Sequence, residues 1–485
     1  MLLDESGTWW LPEASQDEVP GLLSMEGNDD PTLRLIGGFD RRVFHQREGG
    51  GLMSFGELRP MDCVHGESFG KPISLLGCSV TSMKSGLLGP PIEQVVRPSV
   101  AVVGVYVDSL KDEVIDAVEV CLENLTQWSG SSAFTGSIEF SPDEGPTGRQ
   151  TIEVEPVEQV ECSVGTVKFA LKHRHTALRY DDERARRTAR VKEYTVLRIE
   201  FGNPVDFRTC DRYIADIQDL LTLCVDSPCA ILNETIFVRT SSGEEQGSSR
   251  GARRGDVFRR YVVTPNPDAE SVESHEMLAT LDAVSFTQLV PRWFELIERV
   301  RSSVRMVTGL SYIRGGYLET RLVTAVSAAE GLHRSLYAGE AMAEEDFQEL
   351  RRVALDGLKP SQAQWLRDRL RNETALNDRL LDMARRAENL LGSPPLPDVA
   401  FWASEAKRAR NALVHRDETG RPARQLRRMS LHKLDAIVEG TLLIVTLLLF
   451  VELRLPEDAF TALPGKNRRL TAARDLATKH LTETS

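Results

Sequence analysis

The hydrophobic pattern of the chain changes near residue 281, and this change constrains the fold more than any other feature. Up to about residue 280, short apolar runs are separated by Gly, Pro and Ser, as strands and turns require. From residue 281 onward, apolar residues recur every three or four positions, which is typical of amphipathic helices. We therefore predict an α+β protein with a β-rich domain over residues 1–280, an all-α helical bundle over 281–458 and a C-terminal tail over 459–485.

The first half is predicted to be a sandwich or a barrel-like sheet with inserted helices. Strands are expected at residues 33–37, 73–80, 100–106, 166–172 and 194–201. The apolar periodicity of 112–125 and 212–225 predicts helices there. Residues 241–255 are rich in Gly and Ser and predict a long mobile loop.

The second half is predicted to contain five helices. Apolar stripes run along 288–307 and 318–336, and Pro291 is expected in the first turn of the former. A further helix is expected to begin at Ser361, with Gln364 completing a capping box. The last helix, at 430–455, contains the apolar run 442–451, which is too short to span a bilayer. We expect this run to be buried inside the bundle and predict no membrane association.

Composition excludes several classes of function. The 485 residues carry a net charge of −13, so any nucleic-acid site must be a local basic patch. The seven cysteines include no C-x-x-C pair, which predicts reduced thiols in a cytoplasmic protein and no metal site. The chain has no phosphate-binding G-x-x-x-x-G-K-[ST] loop, no G-x-S-x-G and no H-E-x-x-H, and we predict no cofactor.

One constellation in the helical half carries the residue types that metal-free RNA cleavage needs. The sequence from Arg410 to His415 reads R-N-A-L-V-H. An imidazole can exchange a proton with the ribose 2′-hydroxyl or the leaving 5′-oxygen near neutral pH. A guanidinium can hold the phosphate and stabilise the charge of the transition state. Asn411 lies one helical turn before His415, so its amide is placed to orient the imidazole.

The spacing alone is weak evidence. With 48 Arg and 9 His, about one Arg-x4-His match is expected by chance, and two occur, the second joining Arg427 to His432. In addition, Arg410 and His415 point about 140° apart on a continuous helix. They can meet at one phosphate only if the helix ends or bends near His415, or if a second chain completes the site. The segment 403–433 is locally basic, with nine Lys or Arg against three acids, although a basic helix end is often simply solvated.

The order of several motifs makes the whole chain resemble the ApeA-like anti-phage defence proteins, whose C-terminal domain is a HEPN ribonuclease. The N-terminal matches are the segments WWLP at 9–12, PGLL at 20–23, LRLIG at 33–37 and ISLLGC at 73–78. The C-terminal matches are FEL at 294–296, AAEGLH at 328–333 and the segment from Arg410 to His415. This resemblance implies that Arg410 and His415 are catalytic, that Asn411 is the polar residue following the Arg, and that the RNase domain works as a homodimer.

Other residues are weaker candidates. Glu330 is expected either to pair with Arg410 and support it or to be an ordinary helix-stabilising acid. Lys407, Arg408 and Arg416 are candidates for binding RNA. His333 is expected to be a solvated helix residue rather than a contact for RNA. His173 and His175 are expected to be partly exposed strand residues rather than half of a metal site. The basic stretches 184–192 and 250–260 either follow an RNA backbone or are simply soluble.

The resulting hypothesis is a ribonuclease that is restrained until a phage-derived trigger engages the N-terminal half. Its substrate is RNA of the host or the phage, with transfer RNA among the candidates. Two alternatives stay open. The helical bundle could be a binding module that holds RNA or a nucleotide without cutting it, or the protein could be a regulatory partner without RNA chemistry.

Overall fold

Strand pairing in the first half closes six strands into a barrel, and the second half is helical.

The computed structural model describes residues 2–39, 42–46, 52–56, 60–85, 91–141, 145–239, 252–266, 268, 270–313, 315–337, 339–414, 429–457, 460 and 467–482. The chain divides into two compact units, of which the first comprises 1–221 and 229–272 and the second 222–228 and 273–485. The α+β prediction, with a β-rich N-terminal region and a helical C-terminal region, is confirmed.

The barrel forms because the long strand β7 pairs with a different strand along each part of its length. Its strands, in order around the barrel, are β6 (Met61–Ser68), β1 (Leu2–Trp10), β2 (Val19–Glu26), β3 (Thr32–Ile36), β8 (Pro91–Arg97) and β7 (Lys71–Ser85), which pairs again with β6. All neighbours are antiparallel. Trp9, Leu23, Leu33 and Ile73 fill the interior with no exposed surface. Closure removes free strand edges, which would otherwise invite further pairing.

A second run of strands extends the same sheet beyond β7. In spatial order it contains β9 (Val100–Val103), β19 (Ala252–Phe258), β18 (Ile231–Arg239), β10 (Ile115–Leu122), β17 (Glu193–Val205), β14 (Val167–His175) and β13 (Val160–Val164). The helix α2 (Phe207–Val225) follows β17 and confirms the helix predicted at 212–225. The loop predicted at 241–255 lies largely outside the described residues, and 252–255 belong to β19.

The helix predicted at 112–125 is wrong. Its central part is the strand β10, which lies between β17 and β18, and only the short helix α1 (Leu125–Trp128) follows it. Ile115, Val118 and Val120 of this strand are completely buried. A central strand that is buried on both faces loses the alternation of polar and apolar residues, so its apolar positions can mimic a helical period.

Three hairpins are separate from the large sheet. They are β4 (Arg42–Gln46) with β5 (Leu52–Gly56), β11 (Phe134–Ser141) with β12 (Gly145–Val154), and β15 (Arg179–Asp182) with β16 (Arg187–Arg190). None of the seven cysteines, all of which the structure describes, forms a disulfide.

The described helices of the second unit pack around one apolar helix. They are α3 (Phe286–Tyr312), α4 (Leu318–Leu336), α5 (Glu344–Leu355), α6 (Pro360–Arg367), α7 (Leu376–Leu391), α8 (Val399–Val414), α9 (Leu431–Glu452) and α10 (Arg468–His480). The central helix is α9, which contacts α4, α7, α8 and α10. It is long and apolar enough to cross a membrane by length and composition, but 83% of its apolar window is buried inside the protein. The prediction of a buried helix at 442–451 is thus confirmed, although the helix is longer than the apolar run.

Three local details of the helical unit differ from the sequence predictions. Pro291 is the sixth residue of α3 rather than part of its first turn, so the carbonyl of Thr287 lacks its usual intrahelical donor. The helix α6 begins two residues earlier than expected, with Lys359 as its N-cap and the Gln362 side chain accepting from the Lys359 amide at 3.2 Å. Part of the segment interpreted as a tail is α10, whose Leu470, Ala473 and Ala477 are buried.

Candidate functional site

The helix α8 brings Arg410 into the bundle because its apolar stripe consists mainly of alanines. Asp398 precedes the helix and accepts a hydrogen bond from the amide of Phe401 at 2.8 Å, as an N-cap does. Trp402, Ala406 and Ala409 have no exposed surface. Small residues at the last two positions allow α8 to approach α4 and α7 closely, and Arg410 directly follows this stripe.

The partner of Arg410 is Glu330 of α4. Arg410 donates from Nη2 to Glu330 Oε2 at 3.0 Å, although 80 residues separate them. Arg410 also donates from Nη1 to Oδ1 of Asn411 at 3.2 Å. The side chain of Arg410 is 23% exposed and that of Glu330 is 17% exposed. The guanidinium is therefore held from two sides while part of it remains open to solvent.

The ε-nitrogen of Arg410 is buried and has no hydrogen-bond partner among the described residues. A buried donor without an acceptor costs about 1–3 kcal/mol. An arginine offers five N–H donors, of which Glu330 and Asn411 engage one on each terminal nitrogen. Among the described residues, the other N–H group of each terminal nitrogen is thus left to donate to an oxygen of an incoming phosphate.

Glu330 lies between two arginines. Its Oε1 accepts from Nη2 of Arg334 at 3.0 Å, one turn further along α4, while Oε2 faces Arg410. Arg334 in turn lies 3.4 Å from Glu373. Because each oxygen of Glu330 has its own cation, the carboxylate is fixed in orientation and holds Arg410 in place.

The predicted RNA-binding residues differ in their surroundings. Arg408 is paired with the buried Glu405, which also accepts from Lys433 Nζ at 2.8 Å. Lys407 is exposed on the same helix. Arg416 and the predicted catalytic His415 lie outside the described residues, as does the basic segment up to residue 428. The structure therefore describes Arg410, Asn411 and Glu330 of the predicted site, but not the imidazole.

The prediction of a solvated His333 is wrong. This residue is 4% exposed and lies between two side chains of α7, with its Nε2 3.1 Å from Asp382 Oδ2 and its Nδ1 3.4 Å from Arg379 Nη1. Burial lowers the pKa of His333, against the opposing effect of the hydrogen bond to Asp382. The apolar stripe of α4 did not predict the burial of His333, because the side chains that contact it, Asp382 and Arg379, belong to α7.

The α4–α7 cluster was missed by reasoning from the sequence. Arg379 is 1% exposed and donates from Nε to the carbonyl of Thr374 at 3.0 Å. Asp382 accepts from Nε of Arg386 at 2.8 Å, and the Arg386 guanidinium lies 3.8 Å from the centre of the Tyr337 ring. The available signal was an arginine at position 379 within the buried stripe of an otherwise regular amphipathic helix.

The basic stretches of the N-terminal unit are largely neutralised within that unit. Arg186 and Arg187 pair with Glu183 and Asp182 inside the β15–β16 hairpin. Near β19, Arg259 is bound by Asp211 and by the fully buried Glu234, each at 2.7 Å. Arg259 is therefore a structural residue rather than a contact for RNA. Arg250 lies outside the described residues.

His173 and His175 do not form part of a described metal cluster. His173 Nδ1 lies 3.2 Å from the hydroxyl of Thr195, and burial lowers the pKa of this imidazole. His175 is exposed. Within the described part of the chain, no group of three or more potential metal ligands occurs.

Comparison with known families identifies the two halves separately. Residues 4–293 match the family described as ApeA N-terminal domain 1, which is more than half of the chain. The chain belongs to the ApeA family. Residues 323–459 match the Apea-like HEPN family, and this range includes Glu330, Arg410 and His415. No curated protein and no solved structure matches significantly. An ApeA N-terminal domain joined to an ApeA-like HEPN domain supports an anti-phage defence protein, and membership of the HEPN family suggests nuclease activity.

Proposed function

We propose that this ApeA-family protein is an endoribonuclease that cleaves RNA without a metal ion. In this mechanism His415 exchanges protons with the reacting hydroxyls, and the ribose 2′-oxygen attacks the adjacent phosphorus. The bond from phosphorus to the 5′-oxygen breaks, leaving a 2′,3′-cyclic phosphate and a 5′-hydroxyl. Arg410 binds the phosphate and stabilises the additional negative charge of the transition state. Asn411 and Glu330 hold Arg410 in position.

The observation that carries this proposal is the ion pair between Arg410 and Glu330 inside a HEPN domain. An exposed arginine samples many rotamers and gains little from a surface ion pair. Arg410 is instead mostly buried, bonded to Glu330 at 3.0 Å and bonded to Asn411 at 3.2 Å. Holding a guanidinium in advance lowers the entropic cost of phosphate binding, which supports a role in catalysis.

The arrangement of the motif supports a dimer as the active form. On a regular helix Arg410 and His415 point about 140° apart. A second copy of the chain would let Arg410 of one protomer and His415 of the other face the same phosphate. In this proposal Lys407, Arg408 and Arg416 bind the flanking RNA backbone, and Arg408 contributes less because Glu405 already neutralises it.

The N-terminal unit is proposed to restrain the nuclease until a phage-derived trigger binds in the cytoplasm. Its barrel and extended sheet form a compact unit of their own, much larger than a scaffold for one catalytic motif requires. Activation would then degrade RNA of the host or the phage, transfer RNA included, and stop phage replication.

A phage challenge combined with RNA gels tests the proposal. Wild type is compared with Arg410→Ala, His415→Ala and the control His432→Ala, which changes the histidine of the second Arg-x4-His match. Each variant is first checked by thermal melting. We expect protection, and RNA fragments that end in a cyclic phosphate, from wild type and the control only. The same fragments should form in cleavage reactions that contain excess EDTA.

Other outcomes would point to the alternatives. Unchanged protection by folded Arg410→Ala and His415→Ala would overturn the nuclease proposal. RNA binding without any product under any condition would favour a binding module. An N-terminal unit whose alteration never changes cleavage would overturn the proposed restraint.

A further inference from the structure

An open cleft lies between α4 and α7, and its lining begins at His333, three residues after Glu330. It has a volume of about 660 Å³, in the range of small-molecule sites. Tyr337 and Leu336 form one wall, and Asp378, Asp382 and Arg386 form the opposite wall. Glu340, which follows α4 in the chain, also lines the cleft and is exposed.

The position of the cleft relates it to the proposed phosphate site. Tyr337, the residue that ends α4, follows Glu330 by seven positions, so its backbone lies on about the same side of the helix and about 10 Å along the axis. This separation is suited to a nucleotide next to the one that carries the cleaved phosphate. The cleft is therefore placed to read an RNA base rather than to perform the reaction.

The donors of the cleft come from Arg386. Its Nε is engaged by Asp382 at 2.8 Å, and its guanidinium packs at 3.8 Å from the centre of the Tyr337 ring. No described residue accepts a hydrogen bond from its two Nη groups. Asp382 and Tyr337 thus fix the plane of the guanidinium and leave its outer edge available to a ligand with two adjacent acceptors.

The acceptors of the cleft come from Asp378 and Glu340. Both side chains are exposed, and neither carboxylate has a hydrogen-bond partner among the described residues. Asp378 lies one turn before Asp382 on α7, about 6 Å along the helix axis from the residue that holds the guanidinium. Arg386 lies a further turn along α7, and Asp378, Glu340 and Arg386 all line the same cleft, so donors and acceptors face one ligand.

We propose that this cleft binds a guanine base of the RNA strand, an inference that rests on the proposed ribonuclease function. Guanine presents O6 and N7 as adjacent acceptors, the pair that arginine recognises bidentately. Its N1–H and N2 amino donors fit a carboxylate on the Watson–Crick edge. Adenine places an amino donor where guanine has O6, facing the donors of Arg386. Uracil and cytosine lack the purine N7.

Binding of short RNAs to the full-length Arg410→Ala protein tests the inference without cleavage. The probes are fluorescein-labelled oligouridines with one central guanosine, inosine, 7-deazaguanosine or adenosine, and fluorescence anisotropy gives the Kd of each. We expect the guanosine probe to bind about tenfold more tightly than the other three, since inosine lacks the N2 amino group and 7-deazaguanosine lacks N7.

A double variant and a matched control locate the effect. Glu340→Gln with Asp378→Asn should abolish the difference between guanosine and inosine, while Glu345→Gln with Asp346→Asn, two exposed acids of α5, should preserve it. Equal binding of all four probes, or a guanosine preference that survives the cleft variant, would overturn the inference.

Two further outcomes separate this inference from neighbouring ideas. If wild type cuts none of the RNAs but the guanosine preference persists, the ribonuclease proposal fails and the guanine site stands. If free GMP displaces the guanosine probe at the concentration at which unlabelled oligonucleotide does, the cleft binds a free nucleotide, and its assignment to the RNA strand is overturned.

Discussion

Glu330 and Arg410 lie 3.0 Å apart on helices α4 and α8, and Glu330 is bonded at the same time to Arg334. One carboxylate thus connects an arginine of the proposed catalytic motif to an arginine on its own helix. The single negative charge of Glu330 offsets only part of the positive charge that Arg410 and Arg334 bring to this position. Removing the acid should therefore have two separate effects. Arg410 loses the group that holds it in position, and the site becomes more positive.

We expect Glu330→Gln to lower kcat for RNA cleavage without raising KM. The neutral side chain no longer holds the guanidinium, and a displacement of about 1 Å costs up to about 100-fold in rate. Loss of an anion does not weaken the attraction of the site for RNA, so KM should stay constant or fall. Steady-state kinetics on a short RNA measures both parameters.

The control for this prediction is Glu345→Gln, an exposed acid of α5 that should leave both parameters unchanged. A parallel loss in kcat and in melting temperature would indicate that Glu330 only stabilises the fold. An unchanged kcat in the folded Glu330→Gln variant would contradict a positioning role.

His333 should make the stability of the helical unit depend on pH near 6.5. Burial lowers its pKa in the folded protein, so below its unfolded pKa of about 6.5 the unfolded chain binds more protons than the folded one. The free energy of unfolding should therefore fall as the pH decreases from about 7 through this range. Urea unfolding at several pH values, followed by helical circular dichroism, measures the slope.

The comparison is with His333→Gln, which cannot titrate. We expect this variant to be less stable at pH 7.5 because Asp382 and Arg379 lose a partner, and to show a smaller pH slope between about 5.5 and 7. An identical slope in wild type and variant would assign the pH dependence to other groups.

Gly66→Ala should destabilise the N-terminal barrel. A β-carbon at this position would lie 2.2 Å from Cε3 of Trp9, whose ring is completely buried. Because the indole cannot move without opening the barrel, we expect a loss of at least about 1–3 kcal/mol in the free energy of unfolding. Tryptophan fluorescence during urea unfolding measures this loss.

The matched control is Gly136→Ala on β11, where no atom lies within 4 Å of the added β-carbon. It should be neutral or stabilise the protein by up to about 1 kcal/mol, since alanine loses less backbone entropy than glycine. Equal stabilities of the two variants would contradict the packing of Trp9 against Gly66.

Arg469→Ala should weaken the attachment of α10 to the rest of the helical unit. Arg469 is ion-paired with Asp226, whose side chain is 8% exposed, and lies 3.6 Å from Glu439 of α9. Removing it leaves the buried Asp226 without its cation and should cost about 1.5–3 kcal/mol. Limited proteolysis should then release the C-terminal segment sooner.

The exposed Arg468 provides the control, because its side chain is 87% exposed and its pairing with Glu276 contributes little. Arg468→Ala should leave the rate of proteolysis unchanged. If Arg469→Ala is cut no faster than wild type, the ion pair does not hold the helix.

The amino-acid sequence by itself determined the α+β division, the helices α4 and α9, and the motif of Arg410, Asn411 and His415. These features depend on local periodicity and on residue types at short spacing, which are readable along one segment. Only the tertiary structure decided that β10 is a strand rather than a helix, because burial on both faces erases the alternation that identifies a strand.

Tertiary structure also decided which partners each side chain has. His333 is buried because Asp382 and Arg379 of another helix surround it, and the α4–α7 cleft is lined by residues that come from both helices. From the sequence, Glu330 was either the partner of Arg410 or an ordinary helix-stabilising acid, and the packing of α8 on α4 placed it against Arg410. Such contacts join residues 46 to 80 positions apart, and no local pattern specifies them, because they depend on how whole helices pack.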